Sequence, residues 1–149
     1  MRTPRHLLSL VALSIALLGC ETPGVGDPCN PEQVPSGGFN PTESYLETSS
    51  VQCRTRVCMV FEFSGDPSRS LQDCMTNPLP TDPPGCAGLP TDSQINERVY
   101  CTCRCKPPEG SNTIGCECPE GFTCQEDLLA LGGEGIKGGY CVRSTTVTP

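Results

Sequence analysis

The sequence predicts a small disulfide-rich fold, mainly β with long loops and at most one short helix, behind an N-terminal signal peptide and a flexible tether. Three observations lead to this prediction. The 149 residues include 13 cysteines, 16 glycines and 16 prolines but no tryptophan. Leu, Ile, Val and Phe make up 22 of the 130 residues after position 19, which is below the ~20% under which charged chains tend toward disorder. The apolar residues that remain alternate with polar ones in short runs, as in half-buried strands.

Residues 1–19 have the pattern of a secretory signal peptide. Arg2 and Arg5 precede an apolar run at 7–18, and Gly19 follows that run. A basic start, a short apolar run and a small residue before the cleavage point are typical of secretory signals. The apolar run is shorter than the ~20 residues that a membrane-spanning helix needs, so a stable membrane span is the poorer interpretation.

The segment Leu17-Leu18-Gly19-Cys20 resembles the lipobox of bacterial lipoproteins. The resemblance implies cleavage before Cys20 and attachment there of a diacylglyceryl thioether, usually with an N-acyl chain such as palmitate. Two or more acyl chains anchor a protein stably where one does not. Glu21 stands where Asp favours the inner membrane in known lipoproteins, so the resemblance implies the outer membrane. A plain secretory signal with an unmodified Cys20 is the alternative.

The charge balance of the mature chain argues against several functions. Residues 20–149 carry 8 Lys and Arg against 17 Asp and Glu, a formal net charge of −9. Nucleic acids are bound through clustered Lys and Arg, so we expect no nucleic-acid partner. The mature chain has no histidine, which excludes Ser-His-Asp and Cys-His catalysis. We therefore expect no enzyme activity and no cofactor.

Composition divides the mature chain into a tether and a module. Residues 20–50 are dense in Pro, Gly and Ser, which predicts an extended tether. The lipobox resemblance implies that this tether is lipid-anchored at Cys20. Cys29 interrupts this segment, and a disulfide there would tie its second half to the body. Residues 51–149 are then the disulfide-rich β module.

Within the module, alternation and turn residues predict the elements in order. Residues 51–63 predict the first strand, and a proline-rich loop is expected over 76–94. Residues 99–106 predict a second strand and 114–119 a third, shorter one. Thr123 and Glu126 fit the first and last positions of a capping box, so one or two helical turns are expected there.

Twelve cysteines remain after lipidation, and we expect six disulfides because the compartment beyond the inner membrane is oxidising. Residues two apart on a strand lie about 6.5–7 Å apart with parallel Cβ vectors, so they do not easily bridge each other. Cys101, Cys103 and Cys105 should then each reach a different distant cysteine, as should Cys116 and Cys118. The spacing leaves the connectivity open. The twelve are Cys29, Cys53, Cys58, Cys74, Cys86, Cys101, Cys103, Cys105, Cys116, Cys118, Cys124 and Cys141.

Metal binding and redox chemistry are weaker interpretations of these thiols. From Cys29 onward there is no C-x-x-C pair, the spacing common in zinc sites and thiol–disulfide oxidoreductases, so we expect no metal ligand. An envelope redox protein stays an alternative. Calcium is another, through the oxygen ligands of Asp92, Gln94, Asn96 and Glu97.

Residues 115–142 resemble the second half of EGF-like and trypsin-inhibitor-like modules, which bind proteins or inhibit proteases. The matching residues are Cys116, Cys118, Gly121, Phe122 and Cys141. Cys124 follows Gly121-Phe122 sooner than in those modules, which departs from the pattern. Through its lipobox and the segments G-D-P-C-N-P, R-V-C, C-T-C-R-C and C-P-E-G-F-T-C, the whole chain resembles cysteine-rich myxobacterial lipoproteins, a group without an established activity.

These observations predict a non-catalytic, lipid-anchored cell-envelope protein with a binding or structural role and a protein partner in the envelope. The alternative is a protease inhibitor of the disulfide-scaffold type. Its contact loop would be K-P-P-E-G-S-N-T-I-G at 106–115, between Cys105 and Cys116.

Overall fold

Two antiparallel three-stranded sheets form the body of the protein in a computed structural model that describes residues 24–146. The signal peptide, Cys20 and the start of the predicted tether lie outside the described residues. The six strands and six disulfides confirm the mainly β, disulfide-rich class. Among the described residues, no helix has the length and apolarity that crossing a membrane requires.

The first sheet has the strand order β1-β2-β3, with β2 paired antiparallel to both neighbours. Its strands are β1 Ser44–Glu47, β2 Val57–Phe61 and β3 Val99–Thr102. The outer edge of β3 is covered by the N-terminal segment. Gly26 N–H donates to the Cys101 carbonyl and Cys101 N–H donates to the Asp27 carbonyl, each at 2.8 Å.

The second sheet has the order β4-β6-β5 and follows the first sheet along the chain. Its strands are β4 Arg104–Lys106, β5 Phe122–Leu129 and β6 Gly138–Arg143. The chain crosses between the sheets at Thr102, whose hydroxyl donates to the Cys141 carbonyl of β6 at 2.6 Å. The pairing of β5 with β6 is irregular between Gln125 and Leu129.

Both faces of the first sheet are buried, so it forms the middle of three layers. On one face, Val60, Val99 and Cys101 pack with Cys29 and Phe39 of the N-terminal segment. On the other face, Met59, Phe61 and Tyr100 pack against Tyr140 and Val142 of β6. This second cluster joins the two sheets into one core.

Two short helices lie between β2 and β3, α1 at Leu71–Thr76 and α2 at Asp92–Arg98. Each begins with a capping box, Ser70 with Asp73 and Thr91 with Gln94, which satisfies free N–H groups of the first turn. A 3-10 turn, Pro84–Cys86, separates them. The prediction of a loop over 76–94 is therefore wrong from Thr91 onward, because Thr91 caps a helix.

Six disulfides join all twelve cysteines of the described chain. Their Cα–Cα distances run from 5.5 to 6.3 Å, within the normal range. Cys101, Cys103 and Cys105 reach three different distant cysteines, which confirms the prediction made from their alternation. The pairs are Cys29–Cys58, Cys53–Cys101, Cys74–Cys86, Cys103–Cys116, Cys105–Cys124 and Cys118–Cys141.

Three predicted elements differ in the structure. The strand expected at 51–63 is limited to β2, since residues 51–56 form turns in which Arg56 has a φ of 64°. The strand expected at 99–106 divides at Cys103 between two sheets. Residues 114–119 are not a strand, and they lie beside β4, where Cys116 N–H donates to the Arg104 carbonyl.

The helix expected after Thr123 is wrong, because this segment is β5. Thr123 pairs with Val142 and Cys124 with Cys141 of β6. The Thr123 hydroxyl lies 2.8 Å from the Ser144 hydroxyl instead of capping a helix. Pairing with a buried central strand overrides the local helix signal.

The predicted tether over 20–50 is wrong for its described part. From Gly26 onward the segment packs on the module: Cys29 and Phe39 are buried, and residues 44–47 form β1. The bridge from Cys29 to Cys58 fixes this segment to the central strand. Any tether is therefore shorter than the sequence predicts.

Candidate binding cleft and exposed loop

An open cleft of about 580 Å³ lies between β1 and the loop at 31–35. Phe39 and Tyr45 form its aromatic part, with ring centroids 4.9 Å apart in an edge-to-face contact. Phe39 is 5% exposed, so this part of the cleft is anchored in the core. Val34, which also packs on the core, faces the cleft from the loop.

The cleft carries negative charge. Glu32 and Glu47 line it, and none of its lining residues in the described chain is Lys or Arg. The Glu47 carboxylate accepts a hydrogen bond from the Glu32 backbone N–H at 2.8 Å, which ties β1 to the loop. The Tyr45 hydroxyl donates to Glu43 at 2.6 Å. This hydrogen bond raises the pKa of Tyr45, because it stabilises the protonated phenol beside a carboxylate.

Alternate residues of β1 direct their backbone N–H and C=O groups toward β2 and away from it. The observed hydrogen bonds show which residues do which. Glu62 N–H donates to the Glu43 carbonyl, so by antiparallel alternation Tyr45 and Glu47 bond to β2. The bonds of Cys101 to the N-terminal segment agree with the same phase. The backbone groups of Ser44 and Leu46 therefore point away from β2.

A second exposed feature is the loop at 106–115, which the sequence singles out for protease inhibition. It lies between Cys105, bonded to Cys124, and Cys116, bonded to Cys103. Ile114 is 97% exposed although it is large and apolar. Next to it, a Cβ on Gly115 would overlap the Cys105 carbonyl, so only glycine fits this close approach. The end of the loop is thus fixed while its apolar side chain faces solvent.

The cysteines come together in groups, but as disulfides. Within residues 24–146, the groups of three or more potential metal ligands with atoms inside 4.8 Å consist only of cysteine sulfurs. One such group contains Cys103, Cys116 and Cys141, with the Cys141 sulfur 3.7 Å from that of Cys103. Bonded sulfurs are poor ligands because metals bind the thiolate.

The four candidate calcium ligands lie on α2 and do not converge on one point. Residues four apart share a helix face while those two apart do not, so Gln94 points away from Asp92 and Asn96. The Gln94 side-chain oxygen also accepts the Thr91 backbone N–H at 2.9 Å as part of the helix cap. This geometry gives no support to a calcium site here.

Sequence reasoning missed the cleft, because its aromatic and acidic residues lie in the segment predicted as a tether. The signals present were Phe39, a large apolar residue among polar ones, and the short alternation in S-Y-L-E. Cys20, the predicted lipid site, lies outside the described residues. No protein-family model, curated protein or solved structure matches the chain, so its surfaces are interpreted from their own geometry.

Proposed function

We propose that the protein is a non-catalytic binding component of the bacterial cell envelope, anchored in the outer membrane through lipid on Cys20. The lipobox supports the anchor, and Glu21 supports the outer membrane. The pairing of all twelve cysteines of the body supports a location beyond the inner membrane, because disulfides persist in oxidising compartments.

The observation that carries the binding role is the open cleft beside β1. It combines a fixed aromatic part, two carboxylates and a strand edge whose outward backbone groups bond to nothing within residues 24–146. Proteins hold extended segments with such features. Among the described residues, no basic side chain donates to the carboxylates of Glu32 and Glu47, and Glu47 is held by a backbone N–H. The cleft is therefore better suited to binding a protein partner than to catalysing a reaction.

Mass spectrometry of the N-terminal peptide of the mature protein tests the anchor. We expect Cys20 to carry a diacylglyceryl group and an N-acyl chain, and the protein to sediment with outer membranes. A Cys20→Ser variant should leave the membrane fraction. An unmodified Cys20, or mature protein in the soluble fraction, would contradict the proposal.

Cross-linking in intact cells tests the binding role. We expect formaldehyde to produce a discrete adduct of constant mass between the lipidated protein and one envelope protein. The adduct should disappear when the partner is depleted and return when it is restored. Cells that give only the uncross-linked protein, over a range of reagent concentrations, would argue against a partner.

Protease inhibition is a second candidate function, favoured by the exposure of Ile114 in a loop with disulfides at both ends. Ile114 would be the side chain that enters the protease. We expect nanomolar protein to slow a subtilisin-type enzyme, or a trypsin-type enzyme whose specificity pocket is apolar. Ile114→Asp should relieve the inhibition. A panel of such proteases that keeps full activity at micromolar protein would dismiss this function.

A further inference from the structure

Building on the proposed binding role, we propose that β1 binds an extended, basic segment of the partner protein as an added strand. The segment pairs with the backbone groups of Ser44 and Leu46, which have no partner in the described part of the chain. Its side chains on one face enter the cleft between β1 and the loop at 31–35. This mode of recognition takes its affinity from main-chain hydrogen bonds and its specificity from alternate side chains.

The first argument is that β1 differs from the other sheet edges of the described chain. The edge of β3 is covered by Gly26 and Asp27. The edge of β4 is partly covered by Cys116, which bonds to Arg104. The pairing of β5 is interrupted next to Asp127, whose φ is 55°. Covering and bulging are the usual protections of an edge. β1 pairs with β2 in a regular register, and no described segment bonds to its outer edge.

The second argument is the alignment of the cleft with this edge. The lining residues include β1 itself and continue through Thr48 and Ser49. Side chains of an added strand alternate between two faces. Those on the cleft side would meet Val34, Phe39 and Tyr45, while the backbone pairs with β1.

The third argument is charge. Glu32 and Glu47 line the cleft, and its described lining residues include no Lys or Arg. Glu43 immediately precedes β1. Lys or Arg in the added strand would balance these carboxylates. Opposite charges across paired strands are stabilising, whereas like charges directly opposite are destabilising.

Charge also decides against a second copy of this chain as the occupant. Antiparallel pairing of two β1 strands through Ser44 and Leu46 would place Glu43 of one copy opposite Glu47 of the other. Each protein also carries a net charge of −9 after signal removal. Basic segments from a different protein avoid both repulsions.

Fluorescence anisotropy with a labelled peptide of alternating Lys and Val tests the inference on the mature lipidated protein in neutral detergent. We expect saturable binding, and binding at least about tenfold weaker for a peptide with Glu in place of Lys. Glu47→Gln keeps the acceptor for Glu32 N–H but removes the charge, so it should weaken binding by roughly threefold. Glu120→Gln, a change at an exposed carboxylate, should bind as the wild type does.

N-methylation of the peptide tests strand addition directly. Only every second amide of an added strand faces β1. Methyl groups on one set of alternate amides should weaken binding by about tenfold or more, because each removes a main-chain bond. The other set should leave it unchanged. Equal effects of both sets, or equal binding of the acidic peptide, would overturn the inference.

The peptide result and the cross-linking result separate the two proposals. A partner adduct that persists while the Lys-Val peptide fails to bind would overturn strand addition and leave the binding role in place. Loss of both the adduct and the peptide binding would remove both proposals.

Discussion

At the residue scale, Arg143 joins the two ends of the described chain. Its guanidinium lies near two rings that contact each other edge-to-face, 5.1 Å from the centroid of Tyr100 and 5.0 Å from that of Phe122. It also donates to the Gly26 carbonyl at 2.7 Å. Cation–π contacts and a charge-assisted hydrogen bond therefore act on one side chain, and they hold the N-terminal segment against β5 and β6.

Replacing Arg143 by alanine should lower the free energy of unfolding by about 2–4 kcal/mol, since it removes both kinds of contact. The measurement is urea unfolding of the oxidised protein followed by tyrosine fluorescence. The free energy of unfolding of Arg143→Lys should lie between those of the alanine variant and the wild type. Arg54→Ala, at an exposed position, should change little. An alanine variant as stable as the wild type would show that the contacts of Arg143 with the two rings and with Gly26 are incidental.

At the element scale, the part of the fold that the sequence predicts is the part decided locally. β2 is predicted because Val57 through Phe61 form a continuous run of apolar residues. The local pattern T-D-S-Q at Thr91 caps α2, although the prolines before it predict a loop. A similar pattern at Thr123 produces no helix, because β6 offers that segment a full set of backbone partners. Only the tertiary neighbour distinguishes these two capping patterns.

The cleft could not be predicted for the same reason. β1 has four residues, too few for periodicity to identify, and it is a strand because β2 lies beside it. Cys29 indicates that its segment is bonded to the rest of the module, but the sequence does not show which cysteine it pairs with. The exposed loop, by contrast, is predicted well, because two cysteines and two prolines delimit it in sequence.

The helical segment between β2 and β3 contains its own electrostatic clamp. The Arg69 guanidinium donates to both carboxylate oxygens of Asp82, at 2.8 and 2.5 Å, and to the Asn77 carbonyl at 2.6 Å. Leu79 N–H donates to the same carboxylate at 2.7 Å. These hydrogen bonds, first that of Arg69, lower the pKa of Asp82 from 3.8 to about 2.

Because the folded state favours the Asp82 carboxylate, its stabilisation is complete above pH 3.8 and is lost as the pH falls toward 2. We expect the difference in unfolding midpoint between the wild type and Asp82→Asn to shrink between about pH 5 and about pH 2. Denaturant unfolding at both pH values measures this difference. A difference that is independent of pH would exclude the clamp as its cause.

At the scale of the whole molecule, disulfide-bonded cysteines occupy much of the core that large apolar side chains fill in other proteins. Seven of the sixteen buried hydrophobic residues within 24–146 are half-cystines. Their bridges tie the N-terminal segment to β2, β3 to the turn before β2, and β6 to the segment before β5. Cystine constrains the unfolded chain as well as filling space, which suits a chain with few large apolar residues.

The bridges should differ in their contributions. Cys53–Cys101 spans 48 residues and is fully buried, whereas Cys74–Cys86 spans 12 within the helical segment. Loop entropy alone assigns about 4 and about 3 kcal/mol to such bridges. Replacing the first pair by alanines also leaves a void in the core, so it should destabilise the protein more than replacing the second. Denaturant unfolding that gives the reverse order would contradict this assignment.

The central claim is that disulfides hold the fold, and reduction tests it most directly. The measurement is the amide NMR spectrum of the isotope-labelled protein before and after tris(carboxyethyl)phosphine, with thiols counted in parallel. We predict that the dispersed spectrum collapses to that of an unfolded chain as the twelve body cysteines become free. A spectrum that stays dispersed with those twelve thiols reduced would contradict the account.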